Sequence, residues 1–126
     1  MRTIMLCMIL MVAIIGVGLS FQNMLDRESQ DLIASLQNIE ELVRKDNWEQ
    51  AGADMLKVSS KWQDTRKKWQ AVTDHNQIGI IDESLARLQA FLSEREKKDC
   101  FAEIAALRQN ICYIPDKEKL TLSNIF

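Results

Sequence analysis

A chain of 126 residues with 18 acidic and 16 basic side chains, formal net charge −2, is long enough for one compact domain and short for two. Four glycines and one proline argue against sandwiches, barrels and disordered linkers, and favour helices joined by short turns. The mixed, nearly balanced charge creates no long-range field to attract a polyanion, so nucleic acid is not an expected partner.

The first element is apolar. Residues Thr3 to Leu25 carry no charge, and within them the run IMLCMILMVAIIGVGL (4–19) has glycine as its only other residue type. About 20 such residues cross a hydrocarbon core. The run could be a cleaved signal peptide ending near Gly18-Leu19-Ser20, or a retained signal anchor. The anchor is favoured because apolar positions continue at helical spacing through Leu25, Leu32, Leu36, Ile39 and Val43. One helix then runs from the membrane into the remainder of the chain. Arg2 and the amino terminus are the only charges ahead of the run, which predicts a cytoplasmic N-terminus and an extracytoplasmic domain over residues 26–126.

The first helix is predicted to reach about Lys45, where Asp46 with Glu49 resembles a capping box for the next. The second helix carries every tryptophan of the chain on one stripe: Trp48, Ala51, Met55, Val58, Trp62, Thr65, Trp69 and Val72. Alternating steps of three and four make that stripe a buried seam. Asp54, Lys57, Lys61, Asp64 and Lys68 fall on another face as a solvated ladder of acid–lysine pairs. The segment Asp74-His75-Asn76-Gln77 breaks the pattern, and a third helix follows with Ile81, Leu85, Leu88 and Leu92 on one face. Asp99 is expected to cap a fourth helix with Phe101, Ile104, Leu107, Ile111 and Ile114 inward. Pro115 should end it, leaving an extended tail with Leu120, Leu122, Ile125 and Phe126. KDNWEQAGA and KDCFAEIAA suggest a repeat offset by 53 residues (46 to 99). The predicted fold is therefore all-α: an N-terminal transmembrane helix continuing into a four-helix bundle of two antiparallel helical hairpins, with an extended C-terminal tail.

Trp69 followed by His75, then ESLARL (Glu83–Leu88) and the ending L-x-L-x-N-I-F (Leu120–Phe126), resemble the domain of unknown function 4363 family. The resemblance spans essentially the whole chain. It implies small bacterial proteins with one N-terminal transmembrane segment, a helical fold and a membrane location, and it implies no activity.

Chemistry-bearing motifs are sparse. Cys7, Cys100 and Cys112 form no CxxC motif, and Cys100 and Cys112 are too far apart on one helix to bridge. His75 is the sole histidine and falls short of a metal-ligand set. No phosphate loop, nucleophile elbow or zinc spacing occurs, so no catalytic residue, cofactor or metal is expected. The basic–aromatic cluster Arg66-Lys67-Lys68-Trp69 is the sharpest feature. Reflecting the chain about Asp46 brings Trp69 level with Asn23 and Arg66 level with Asp26, where the first helix leaves the bilayer. Tryptophan and cations suit that interface. With His75, Leu120, Leu122, Ile125 and Phe126, this cluster forms the candidate membrane-interface or partner surface. The expected function is a non-enzymatic, membrane-anchored interaction module for a membrane or membrane-proximal protein partner. The alternative is an extracytoplasmic small-ligand or signal-sensing domain using a cleft between the hairpins.

Overall fold

The computed structural model describes residues 1–71 and 73–125, with their side chains as far as Ile114. The described residues form four helices: α1 (Arg2–Arg44), α2 (Trp48–Trp69), α3 (His75–Ser93) and α4 (Lys97–Ile125). They close a ring of neighbours in which α1 packs on α2 and α4, and α3 packs on α2 and α4. No strand is present among the described residues.

The core is the set of predicted stripes brought together. From α1 come Leu25, Leu32, Leu36, Ile39 and Val43, and from α3 Ile81, Leu85, Leu88 and Leu92, all buried. Ala51, Met55, Val58, Trp62 and Trp69 are buried from α2, as are Ile104, Leu107, Ile111 and Ile114 from α4. Trp48 and Phe101 are partly buried against this core. Val72, the last seam position expected for α2, lies outside the described residues.

Boundaries differ from expectation in three places. The cap of α2 is Asn47, whose side chain accepts from the Gln50 N–H at 3.4 Å, while Asp46 takes a left-handed φ of 58°. Asp is among the few residues that tolerate that conformation, so it reverses the chain where capping was expected. Asp74, expected to break the pattern, caps α3 by accepting from the Asn76 N–H at 3.2 Å. Asp99 falls inside the first turn of α4, which already begins at Lys97.

The extended tail is also corrected. α4 continues as helix past Pro115 to Ile125. Proline removes one backbone donor but holds φ near the helical value, and the helix ahead of it packs on the core through Ile111 and Ile114, both buried.

The two like turns reveal the repeat in a different register. Lys45, Asp46 and Asn47 donate to the carbonyls of Glu41, Val43 and Leu42. Glu94, Arg95 and Glu96 donate to Ala90, Leu92 and Phe91 in the same pattern, and Arg95, like Asp46, has positive φ (55°). The offset is 49, as from Val43 to Leu92, and not 53. Lys45-Asp46 sits in its turn, whereas Lys98-Asp99 is already helical, so the matching dipeptide misaligned the units. At offset 49 buried positions coincide: Leu32 with Ile81, Leu36 with Leu85, Ile39 with Leu88, Met55 with Ile104, Val58 with Leu107 and Trp62 with Ile111.

Candidate functional site

The cluster Arg66-Lys67-Lys68-Trp69 does not present one surface. Lys68 Nζ lies 2.8 Å from Glu28 Oε1 on α1, and the Trp69 indole N–H donates to Glu28 Oε2 at 3.1 Å. Trp69 is fully buried and meets Trp62 edge to face, with centroids 5.6 Å apart and planes at 87°. Arg66 turns the other way, and its Nε donates to both carboxylate oxygens of Asp82 on α3, at 3.2 and 3.0 Å. Only Lys67 of the three cations stays fully on the outer face with His75, which opens α3. The cluster therefore works mainly as a clasp joining α2 to α1 and α3.

Two pairs join α2 to α1 at mirrored positions. Asn38 donates to Asp54 at 2.7 Å and Lys61 lies 3.9 Å from Asp31, both pairs mirrored about residue 46. Lys68 and Trp69 reach Glu28, about one turn beyond Asn23, which is within a long side chain's span. The supposed ladder on α2 is thus spent on α1: Asp54, Lys61 and Lys68 pair across helices.

Near the end of its described side chains α4 meets α1, where the Ser29 hydroxyl lies 3.5 Å from the Ile111 carbonyl. Helix continues beyond that point to Ile125. Among residues 1–20, Ile15 and Gly18 alone are partly covered, and the others are exposed. Leu120, Leu122 and Ile125 therefore lie on helix at this end, while Phe126 is outside the described residues.

A second polar arrangement escaped the sequence reading. Between α2 and α3 lies an open cleft of about 380 Å³ lined by Ser59, Gln63, Arg66, Asp82, Ala86 and Gln89, with Trp62 and Leu85 at its floor. The Trp62 indole donates to Asp82 Oδ1 at 2.7 Å, so this carboxylate holds both a buried tryptophan and Arg66. Elsewhere Ser84 donates to Glu103, which also holds Arg87. Glu40 receives Arg44 and Arg108, and the Arg44 guanidinium lies over the Phe101 ring at 5.4 Å.

The hydrogen bond and charge of Glu28 raise the Lys68 ammonium above its usual range. Glu103 does the same for Arg87, chiefly by hydrogen bonding. Burial, with Asp99 and Glu96 nearby, pushes the Cys100 thiol up to about 11. All three cysteines are free, with Cys7 and Cys112 exposed. Among the described residues no three His, Cys, Asp or Glu side chains converge on a common point.

These features define an all-helical bundle with one N-terminal helix long and apolar enough to span a membrane. The chain belongs to the family described as Domain of unknown function (DUF4363), whose model matches residues 19–125. No curated protein and no solved structure matches it.

Proposed function

We propose that this protein is a non-enzymatic, membrane-anchored helical module that binds a protein partner at the outer face of the membrane. One observation carries the reading. The apolar residues of α1 from Ile4 to Leu19 are almost wholly exposed, yet the same unbroken helix becomes a core element from Gln22 onward. Apolar side chains exposed on every face of a helix have no protein to pack against, and lipid is the solvent that removes the cost. The remaining helices pair as two antiparallel hairpins, α1 with α2 and α3 with α4, with the turns at Asp46 and Arg95 distal to the membrane. Lys97 reaches Asp46 at 2.8 Å, which ties the two turns together at that end.

In this arrangement the membrane-proximal end presents Lys67, His75 and the last turns of α4. Photo-crosslinkers placed at Lys67 and His75 in native membranes should capture a partner, whereas those at Lys45 and Asn47 should not. A deletion of Leu120 to Phe126 that leaves melting unchanged but abolishes the crosslinks identifies a docking tail. The reading fails if a C-terminal reporter is cytoplasmic, if the mature chain begins near Phe21, or if crosslinks arise only at the distal turns.

One observation favours the ligand-sensing alternative: the polar-rimmed cleft between α2 and α3 lies where the two hairpins meet.

A further inference from the structure

The 49-residue repeat supplies an internal control for the α2–α3 cleft. Exchanging the two helix pairs maps the α2–α3 junction onto the α1–α4 junction, so each residue of one has a mate in the other. The α1–α4 junction is bridged by large side chains. Arg44 lies over Phe101, and Arg108 binds Glu40 at 3.3 Å. Their mates across α2 and α3 are Ser93 with Gly52, and Ser59 with Gln89. Two large stacked or paired sets are replaced by small or neutral side chains, and a Cβ built on Gly52 would meet nothing within 4 Å. Of these positions Ser59 and Gln89 line the cleft, so it opens where the α1–α4 junction holds the Arg108–Glu40 pair.

The polar residues differ in the opposite sense. Asp82 stands where α1 has the buried Ile33, and Trp62 where α4 has Ile111. Where the mate packs a buried isoleucine, Asp82 is one-third exposed and meets two donors from α2. Its oxygens accept from the Trp62 indole and from Arg66 Nε, which neutralises Asp82 and fixes the guanidinium against it. Only Nε of Arg66 is used in this way. Both Nη groups make no hydrogen bond among the described residues, and they belong to a side chain that lines the cleft. A planar pair of donors held in place by a second carboxylate is suited to bidentate capture of a carboxylate ligand. The amides of Gln63 and Gln89 and the Ser59 hydroxyl offer neutral donors and acceptors around it.

We infer that the α2–α3 cleft is a binding site for a small monoanionic carboxylate, gripped by the Nη groups of Arg66. Three points fix the class. Among the described residues Arg66 is the one cation lining the cleft and it already faces Asp82, so a monoanion leaves one net negative charge there where a doubly charged phosphate would leave two, and the smaller charge is the less costly. The half-apolar lining accommodates a short hydrocarbon portion. The volume lies at the small end of ligand sites, which suits a ligand of a few heavy atoms. The inference is independent of membrane topology and of any protein partner, so either can fail without the other.

The test uses the full chain in nanodiscs of zwitterionic lipid. Acetate, lactate and butyrate are titrated at constant ionic strength against phosphate, sulfate and chloride, with tryptophan emission and melting temperature as readouts. At least one carboxylate should give a saturable emission change and a higher melting temperature. Arg66→Gln should weaken that response about 10-fold or more, the loss of a charged hydrogen-bond pair, whereas Lys67→Gln should leave it intact. The double substitution S59R with Q89E rebuilds the filled pair of the α1–α4 junction. It should abolish the response while keeping the helical melt. No saturable response to any carboxylate, an equal response to phosphate, or a response that survives both Arg66→Gln and the filled cleft would overturn the assignment.

Discussion

Replacing Trp62 by alanine tests the packing of this bundle at its centre. The side chain is 1% exposed, stands edge to face on Trp69, and donates to Asp82 at 2.7 Å. Truncating a buried tryptophan to alanine costs about 3–5 kcal/mol through lost transfer energy and the residual cavity. The tryptophan pair accounts for about 0.5–1.5 kcal/mol of such a loss. Losing the indole donor costs little more, because Asp82 is one-third exposed and keeps Arg66; a net hydrogen bond is worth about 1 kcal/mol. The expected total is about 4–5 kcal/mol, a large share of the roughly 5–15 kcal/mol that stabilises an ordinary domain. Trp62→Phe keeps most of the ring volume and loses the donor, so it should cost only about 1–2 kcal/mol. Urea titrations of the full chain in detergent, followed by helical circular dichroism, measure both. An alanine variant within about 1 kcal/mol of the parent would refute the seam. If phenylalanine proved as costly as alanine, the polar link to Asp82 would outweigh packing.

Other outcomes follow from the buried thiol, the Glu28 clasp and the proline. At neutral pH a thiol reagent should modify Cys112 rapidly and Cys100 only on unfolding, and equal rates would contradict its burial. The folded thiol keeps its proton to about 11, against 9.0 when free, so the folded state binds more protons in that window. Stability should therefore fall between about pH 9 and 11, and Cys100→Ala should flatten that part of the pH profile. Lys68 acts in the same sense: its contribution is present below its ordinary 10.5 and is lost as pH rises through the higher folded value. Glu28→Ala should cost about 1–2 kcal/mol in denaturant melts because it strands the buried Trp69 indole, whereas Lys68→Ala, which breaks only an exposed ion pair, should cost less. Pro115→Ala should raise the melting temperature by restoring a helix hydrogen bond, and a lowered one would show that proline fits this site without strain.

The apolar stripes were legible because a helix converts sequence spacing into azimuth. Leu25 to Val43, Trp48 to Trp69, Ile81 to Leu92 and Ile104 to Ile114 needed only the alternation of three and four to be placed inside. The exposed run 4–19 was equally plain from composition. Partner choice was not legible, since it depends on how neighbouring helices slide along one another. Asp54, Lys61 and Lys68 looked like one solvated ladder on α2, and they reach instead to Asn38, Asp31 and Glu28 on α1. Asp82 belongs to no motif in the sequence, yet it anchors an indole and a guanidinium twenty and sixteen residues back. Pro115 misled for a different reason. Its local rule is sound, but proline's fixed φ is close to the helical value, and the helix runs on through it to Ile125.

The repeat shows why such an error can survive inspection. Aligning the units at 53 instead of 49 residues slips one against the other by four positions. Four residues turn a helix by about 400°, only about 40° from a full revolution, so the slipped register still sets Leu32 on Leu85 and Ile39 on Leu92, although Leu36 falls on Gln89 and Met55 on Arg108. A few matching positions cannot fix the register. The turns can, because a left-handed residue and three specific hydrogen bonds occur at one place only, at Asp46 and at Arg95. The register is also what exposes the cleft. At offset 53 Ser59 and Gln89 face Cys112 and Leu36, which says nothing about filling. At offset 49 they face Arg108 and Glu40, a bonded pair, and the absence of that pair between α2 and α3 becomes a structural difference with a ligand-sized volume attached to it.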